Sequence, residues 1–220
     1  MSTLKMITLN IVVFAVLLFG ASQAYANLIL NGSFESSTGG APDHWGFTGN
    51  LAVISSQGET DGSRALAFSF GNLPSNGVLF QSFETTAGAA YKLQFDFGKF
   101  SINQPLQVAR LEVDVFDGTG FLGANILDQR VTDATPGSGE LNSTDSPNVY
   151  SRFEFAFSAI GGRSTLRFTD VSDGQVSGGG FDAMLDNVSI SAVPEPSSLA
   201  LVTICSLACS FLVRRSKTKS

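Results

Sequence analysis

Tyr91-Lys92-Leu93-Gln94-Phe95-Asp96-Phe97 is the stretch on which the fold turns. Apolar and polar side chains alternate along it with a period of two. Tyr91, Leu93, Phe95 and Phe97 therefore share one face of an extended strand, and Lys92, Gln94 and Asp96 the other. The same alternation recurs outward in both directions. Leu66, Phe68 and Phe70 carry it upstream, and Leu111, Val113 and Val115 alternate with Glu112 and Asp114. Phe153, Phe155 and Phe157 alternate with Arg152, Glu154 and Ala156, and Leu166 and Phe168 flank Arg167. Segments rich in Gly, Ser, Asn and Asp separate these runs, at 37–41, 71–77, 132–148 and 172–180. No stretch from Asn27 to Ala192 sustains a helical period. Many short, half-buried strands with such loops predict an all-β, two-sheet sandwich whose inner faces are filled largely by phenylalanine.

Both ends of the chain read differently. Lys5 precedes an apolar run from Ile7 to Phe19, and Ala24-Tyr25-Ala26 supplies a small-x-small site, so residues 1–26 are expected to be a signal peptide cleaved before Asn27. At the other end, Val193-Pro194-Glu195-Pro196 opens a linker over 193–198, in which each proline fixes φ and biases the residue before it to extended geometry. Leu199 to Val213 carries no charge and is expected to be a transmembrane helix. Arg214, Arg215, Lys217 and Lys219 follow in a basic tail, 214–220, of the kind that stays in the cytoplasm, with Arg214 and Arg215 flanking the membrane. Residues 27–192 have the size of one domain able to bury a core.

The only two cysteines, Cys205 and Cys209, lie in the apolar span, so the expected domain folds without disulfides although its route passes an oxidising compartment. Charge is divided just as unevenly. Five of the 13 basic residues but one of the 19 acidic ones sit in the end segments, leaving 8 against 18 from 27 to 192. Such a surface repels nucleic acid and attracts cations such as calcium, which excludes nucleic acid as the expected partner.

The order Val193-Pro194-Glu195-Pro196, apolar span, Arg-rich end resembles the PEP-CTERM sorting signal of exopolysaccharide-producing bacteria. That resemblance implies an exosortase, a membrane-embedded cysteine transpeptidase-like enzyme, as processing partner. It also implies a protein exported across the inner membrane and released to, or re-anchored at, the cell surface or extracellular matrix. The alternative is a proline-containing linker before an ordinary anchor. In both cases the tail is an address and leaves the activity open.

A second resemblance covers the domain. Asn27-Leu28-Ile29-Leu30-Asn31-Gly32-Ser33-Phe34-Glu35 looks like the first strand of galactose-binding-like jelly rolls, a superfamily that includes the accessory carbohydrate-binding modules of xylanases and cellulases. Trp45, Asp61-Gly62-Ser63-Arg64, Gln81-Ser82-Phe83 and Leu185-Asp186-Asn187-Val188-Ser189-Ile190 follow in the matching order. Asp186 has the parity of Val188 and Ile190, which predicts an inward carboxylate, and a buried ionised carboxylate needs a partner or a metal. In the modules that the sequence resembles, the carboxylates matching Glu35 and Asp186 bind a structural calcium. Backbone carbonyls and a loop residue near Asp61 to Ser63 complete the shell, which suits calcium's all-oxygen coordination. Without metal, Glu35 would instead meet Arg64, and Asp186 would cap a turn.

Carbohydrate modules stack aromatic rings on sugar faces, and Trp45, Phe47, Tyr150 and Phe100 sit in or beside loops where such a platform could form; the alternative for each is burial in the core. Catalysis is not expected. His44 is the sole histidine, no Gly-x-Ser-x-Gly elbow occurs, and Asp114 and Asp117 read as solvated. The sequence thus points to a non-catalytic module associating with extracellular polysaccharide. The competing reading is a structural or adhesive matrix protein with no sugar pocket.

Overall fold

The computed structural model describes residues 26–55, 58–71, 73–101, 108–132, 140–142, 149–172 and 181–194. Thirteen strands occur among them: β1 (Ser37–Thr38), β2 (Ala41–Pro42), β3 (Gly46–Thr48), β4 (Leu51–Ser55), β5 (Arg64–Phe68), β6 (Val78–Glu84), β7 (Ala90–Ser101), β8 (Arg110–Asp117), β9 (Asn125–Thr132), β10 (Glu140–Asn142), β11 (Val149–Ser158), β12 (Arg163–Asp170) and β13 (Phe181–Ala192). They form a two-stranded ladder, β1-β2, and two larger sheets. The six-stranded sheet has the order β10-β11-β7-β13-β5-β4 and the five-stranded sheet β3-β6-β12-β8-β9, and every strand pair is antiparallel. Successive strands β6, β7 and β8 alternate between the two sheets, as do β11, β12 and β13. This is the expected all-β jelly-roll sandwich.

The period-two pattern explains how the sheets stick. Leu93, Phe95 and Phe97 of β7 and Leu66 and Phe68 of β5 point inward from one sheet. Leu111, Val113 and Val115 of β8 and Leu166 and Phe168 of β12 meet them from the other, all fully buried. Phe95 and Phe168 touch edge to face across the sandwich with centroids 5.2 Å apart, and Phe83 reaches Phe157 at 6.3 Å. Each such pair contributes roughly 0.5–1.5 kcal/mol beyond its buried area. Gln81 is the inward exception on β6. Its amide is satisfied by the Leu30 N–H at 2.7 Å and by donating to the carbonyls of Leu30 at 3.0 Å and His44 at 3.1 Å.

Three local expectations are corrected. The opening 27–35 is a run of bends and turns alongside β13, tied by Leu28 N–H to Ile190 O (2.8 Å) and Val188 N–H to Gly32 O (2.9 Å). Asn31 (φ 52°) and Phe34 (φ 56°) break it in the left-handed region, and a Cβ on Gly32 would lie 1.9 Å from Val188 O. β5 ends at Phe68 because Ser69 (φ 61°) reverses the chain, leaving Phe70 exposed rather than in the core. Asp114, expected to be solvated, is 4 % exposed and paired with Arg167.

Candidate functional site

On the five-stranded sheet, the residues of opposite parity to the core line an outer face. β6 contributes Phe80, β12 Thr165, Arg167 and Thr169, and β8 Glu112, Asp114 and Phe116. Register places Arg167 between Phe80 on one neighbour and Asp114 on the other. Arg167 donates to Asp114 Oδ2 through Nη2 at 2.7 Å and Nε at 3.1 Å, while Asn125 Nδ2 donates to Asp114 Oδ1 at 2.8 Å. The buried carboxylate is thus satisfied on both oxygens, and the guanidinium is fixed in plane.

Aromatic rings pack on that guanidinium. Its Cζ lies 4.7 Å from the Phe116 centroid and 5.1 Å from that of Phe121. Phe121 comes from the β8–β9 loop, which folds back over the sheet because Gly118 and Gly120 (both φ 80°) allow the reversal. Thr165 Oγ1 then pins the loop, accepting from Gly120 N–H at 3.0 Å and donating to Gly118 O at 2.8 Å. Phe121 packs edge-on against Phe80 (5.1 Å) and Phe116 (5.6 Å) and keeps 36 % of its surface exposed. Phe80 in turn lies over Gly46 of the edge strand, where a Cβ would sit 2.4 Å from the ring. Further along the face Arg130 pairs with Glu112. The result is an aromatic cluster in which Phe121 is exposed, Phe80 half-buried and Phe116 buried, beside ion-paired groups, so that Phe121 can stack on a C–H face next to the Arg167 and Arg130 guanidinium groups.

The aromatic residues expected from sequence are not gathered there. Trp45 is 6 % exposed, tilted against Phe34 at 5.7 Å, with Nε1 donating to Asn31 O at 3.1 Å. Tyr150 is 0 % exposed in a separate cluster with Ala65, Ala67 and Met184, against which Phe100 is half-buried. Neither Trp45 nor Tyr150 offers a ring face to a ligand, and the platform expected from them is corrected. Phe47 is exposed on β3. The exposed His44 is held at φ 71°, and no hydrogen bond to its imidazole occurs among the described residues. Phe80, Phe116, Phe121 and Arg167 were missed as a group. The signal for them was a Gly-spaced loop carrying Phe121 next to strands with Arg167 and Asp114 on their polar parity.

The expected calcium residues meet at one loop: Asp61 and Ser63 lie in it, and Glu35 and Asp186 of β13 reach it from distant parts of the chain. Glu35 Oε1 accepts from Ser63 N–H at 2.7 Å and Arg64 N–H at 2.8 Å, and Oε2 accepts from Ser63 Oγ at 2.8 Å. Burial pushes the Glu35 carboxyl upward, but these donors outweigh it and hold the group below the usual range. Asp186 Oδ2 accepts from Thr60 N–H at 2.7 Å and Asp61 N–H at 2.8 Å, and Oδ1 from Asn187 N–H at 2.7 Å. Burial nevertheless pushes Asp186 up to about 7. Asp186 also does not face the core. Asn187 (φ 53°) makes a bulge after it, so Leu185 and Val188 both point inward and Asp186 lies on the outer side opposite Asp96. Asp61 and Ser63 thus present hydrogen donors to these carboxylates, a donor set that does not fit a calcium bridge between Glu35 and Asp186.

Of the sorting motif, Val193 N–H still donates to Ala90 O at 2.8 Å and Pro194 follows. Glu195, Pro196, the apolar span, Arg214, Arg215 and residues 1–25 lie outside the described residues. No helix among the described residues is long and apolar enough to cross a membrane.

No protein-family model matches the chain, and no curated protein matches it. Solved structures are similar in fold. A family 61 carbohydrate-binding module in complex with beta-1,4-galactotriose has 14 % identity and a TM-score of 0.51, covering 76 % of this chain and 99 % of its own. The xylan-binding domain from Paenibacillus barcinonensis has 16 % identity and a TM-score of 0.44, covering 80 % of this chain and 100 % of its own. The K1 cleaved adhesin domain of Lys-gingipain from Porphyromonas gingivalis has 16 % identity and a TM-score of 0.47, covering 74 % and 96 %.

Proposed function

We propose that the chain is an exported, non-catalytic carbohydrate-associating module that takes a glycan on the outer face of its five-stranded sheet. The observation that carries this is the arrangement of Phe121, half-exposed and seated on Phe80, Phe116 and Arg167, beside the Arg167–Asp114 and Arg130–Glu112 pairs. Aromatic faces next to fixed polar groups suit a sugar, which offers C–H surface and hydroxyls together. The fold shared with a module solved on beta-1,4-galactotriose is consistent with this use and makes a beta-galactan the first ligand to try.

Sorting belongs to the same reading. Among the described residues the last backbone bond is made by Val193, and the PEP-CTERM-like signal begins at that residue, so an exosortase would find its motif next to the end of β13. The processed module would work in the extracellular polysaccharide layer. Calorimetry of the full chain with the host's exopolysaccharide and with beta-1,4-galactan tests the binding. Saturable heats are expected. Absence of binding to both would leave a structural or adhesive matrix protein. Protein recovered from its host should end near Pro194–Ser198, and an intact Ser220 would argue against processing.

A further inference from the structure

A structural calcium stabilises a loop by supplying positive charge to carboxylates that would otherwise repel one another. In this chain that positive charge comes from the loop itself. Four backbone N–H groups, those of Thr60, Asp61, Ser63 and Arg64, end on two carboxylates from distant parts of the sequence. Two point at Asp186 and two at Glu35, all at 2.7–2.8 Å. Gly62 makes this possible. Its φ of +90° turns the next two amides toward Glu35, and its missing side chain lets the carboxylate close in, since a Cβ would lie 2.4 Å from Oε1.

The charge on Asp96 is matched within the protein. Asp96, which faces Asp186 across β7 and β13, is gripped by Arg152 through Nε at 2.8 Å and Nη2 at 2.9 Å. Asp96 Oδ2 also accepts from Thr60 Oγ1 at 2.7 Å and Asn187 Nδ2 at 3.0 Å. A calcium ion needs oxygen at roughly 2.3–2.6 Å, whereas the oxygens of Glu35 and Asp186 are already aimed at the positive ends of N–H dipoles. Converting the clamp to a metal site would require turning loop peptides so that carbonyls replaced amides.

We propose that the loop from Thr60 to Arg64 is locked by a metal-independent carboxylate–amide clamp, with Glu35 and Asp186 as its jaws. The jelly-roll modules that the sequence resembles use calcium at the matching position, and this chain does without it. Its stability is thereby uncoupled from the calcium level around it.

Thermal unfolding of the full chain in chelator and in millimolar calcium, with a calcium titration by calorimetry, tests the clamp directly. The expected result is one melting temperature in both media and no heat of calcium binding. Glu35→Gln keeps an oxygen for the two N–H groups, so it should melt closer to wild type than Glu35→Ala does, with the same ranking in both media. A melting temperature that falls in chelator and returns with calcium would overturn the proposal. So would a calcium-binding heat lost in Asp186→Asn.

Discussion

Asp96 and Asp186 stand opposite one another in adjacent strands, both fully buried, on the side of the sheet away from the core. Like charges paired across strands are destabilising, so this pair depends on what surrounds it. Asn187 does two things there: it supplies the left-handed bulge (φ 53°) that turns Asp186 outward, and it donates from Nδ2 to Asp96 at 3.0 Å. Asn187→Ala should therefore lose both a tolerated left-handed residue and a bond to a carboxylate. The expected cost is about 2–3 kcal/mol by denaturant unfolding.

Arg152 is the second support. Its bidentate bond raises its own pKa and satisfies a carboxylate with no solvent exposure. Arg152→Met would leave that carboxylate short of its cation and should cost about 2–4 kcal/mol. Arg152→Lys should recover only part of this, because an ammonium cannot make the fork. Equal melting temperatures for the two variants would contradict the geometric account.

Burial pushes Asp182 up to about 6 and Asp186 up to about 7, against an ordinary value of 3.8. Each group therefore holds its proton more tightly folded than unfolded. Their contribution to stability is fully present below about pH 4 and is lost as pH rises through about 6 for Asp182 and about 7 for Asp186. Melting temperature should fall from roughly pH 5 to roughly pH 8 on their account. The Asp182 side chain makes no hydrogen bond or ion pair among the described residues, so Asp182→Asn should flatten part of the decline and raise stability at neutral pH. A profile as steep as wild type would exclude Asp182 as a source.

The strands were legible in the sequence wherever side chains alternate, because the period of two survives from residue to residue in β7, β8, β11 and β12. Legibility failed where one residue changes hand. Ser69 ended β5 before Phe70, and Asn187 reversed the parity on which an inward Asp186 had been inferred. Aromatic type alone was equally blind. Trp45 and Phe121 both sit near turns, yet Trp45 is drawn inward by a bond to Asn31 O, while Phe121 is held outside by Gly118, Gly120 and Thr165. The loop clamp was legible in its residues, Glu35 and Asp186, but not in its partners. Which end of a peptide, N–H or C=O, points at a carboxylate is a backbone property that composition does not carry.

Phe121 is the residue on which the binding face can be tested without disturbing the fold. Its ring is 36 % exposed and rests on the outer side of the sheet, so truncating it removes contact area but opens no core cavity. Phe121→Ala should therefore cost about 1–3 kcal/mol of stability through its two ring pairs, without unfolding the sandwich, while weakening glycan binding by about 1–2 kcal/mol, roughly tenfold. Phe121→Trp enlarges the stacking face and should hold or raise the affinity. Arg167→Lys acts on the same cluster from beneath. It removes the planar group lying on Phe116 and Phe121 and loosens Asp114, so affinity and stability should fall together. Glu154→Gln, on the outer face of the other sheet, should change neither binding nor, beyond its contacts with Lys92 and Gln94, stability. If Phe121→Ala binds like wild type while Glu154→Gln weakens, the glycan lies on the six-stranded sheet and the assigned face is wrong.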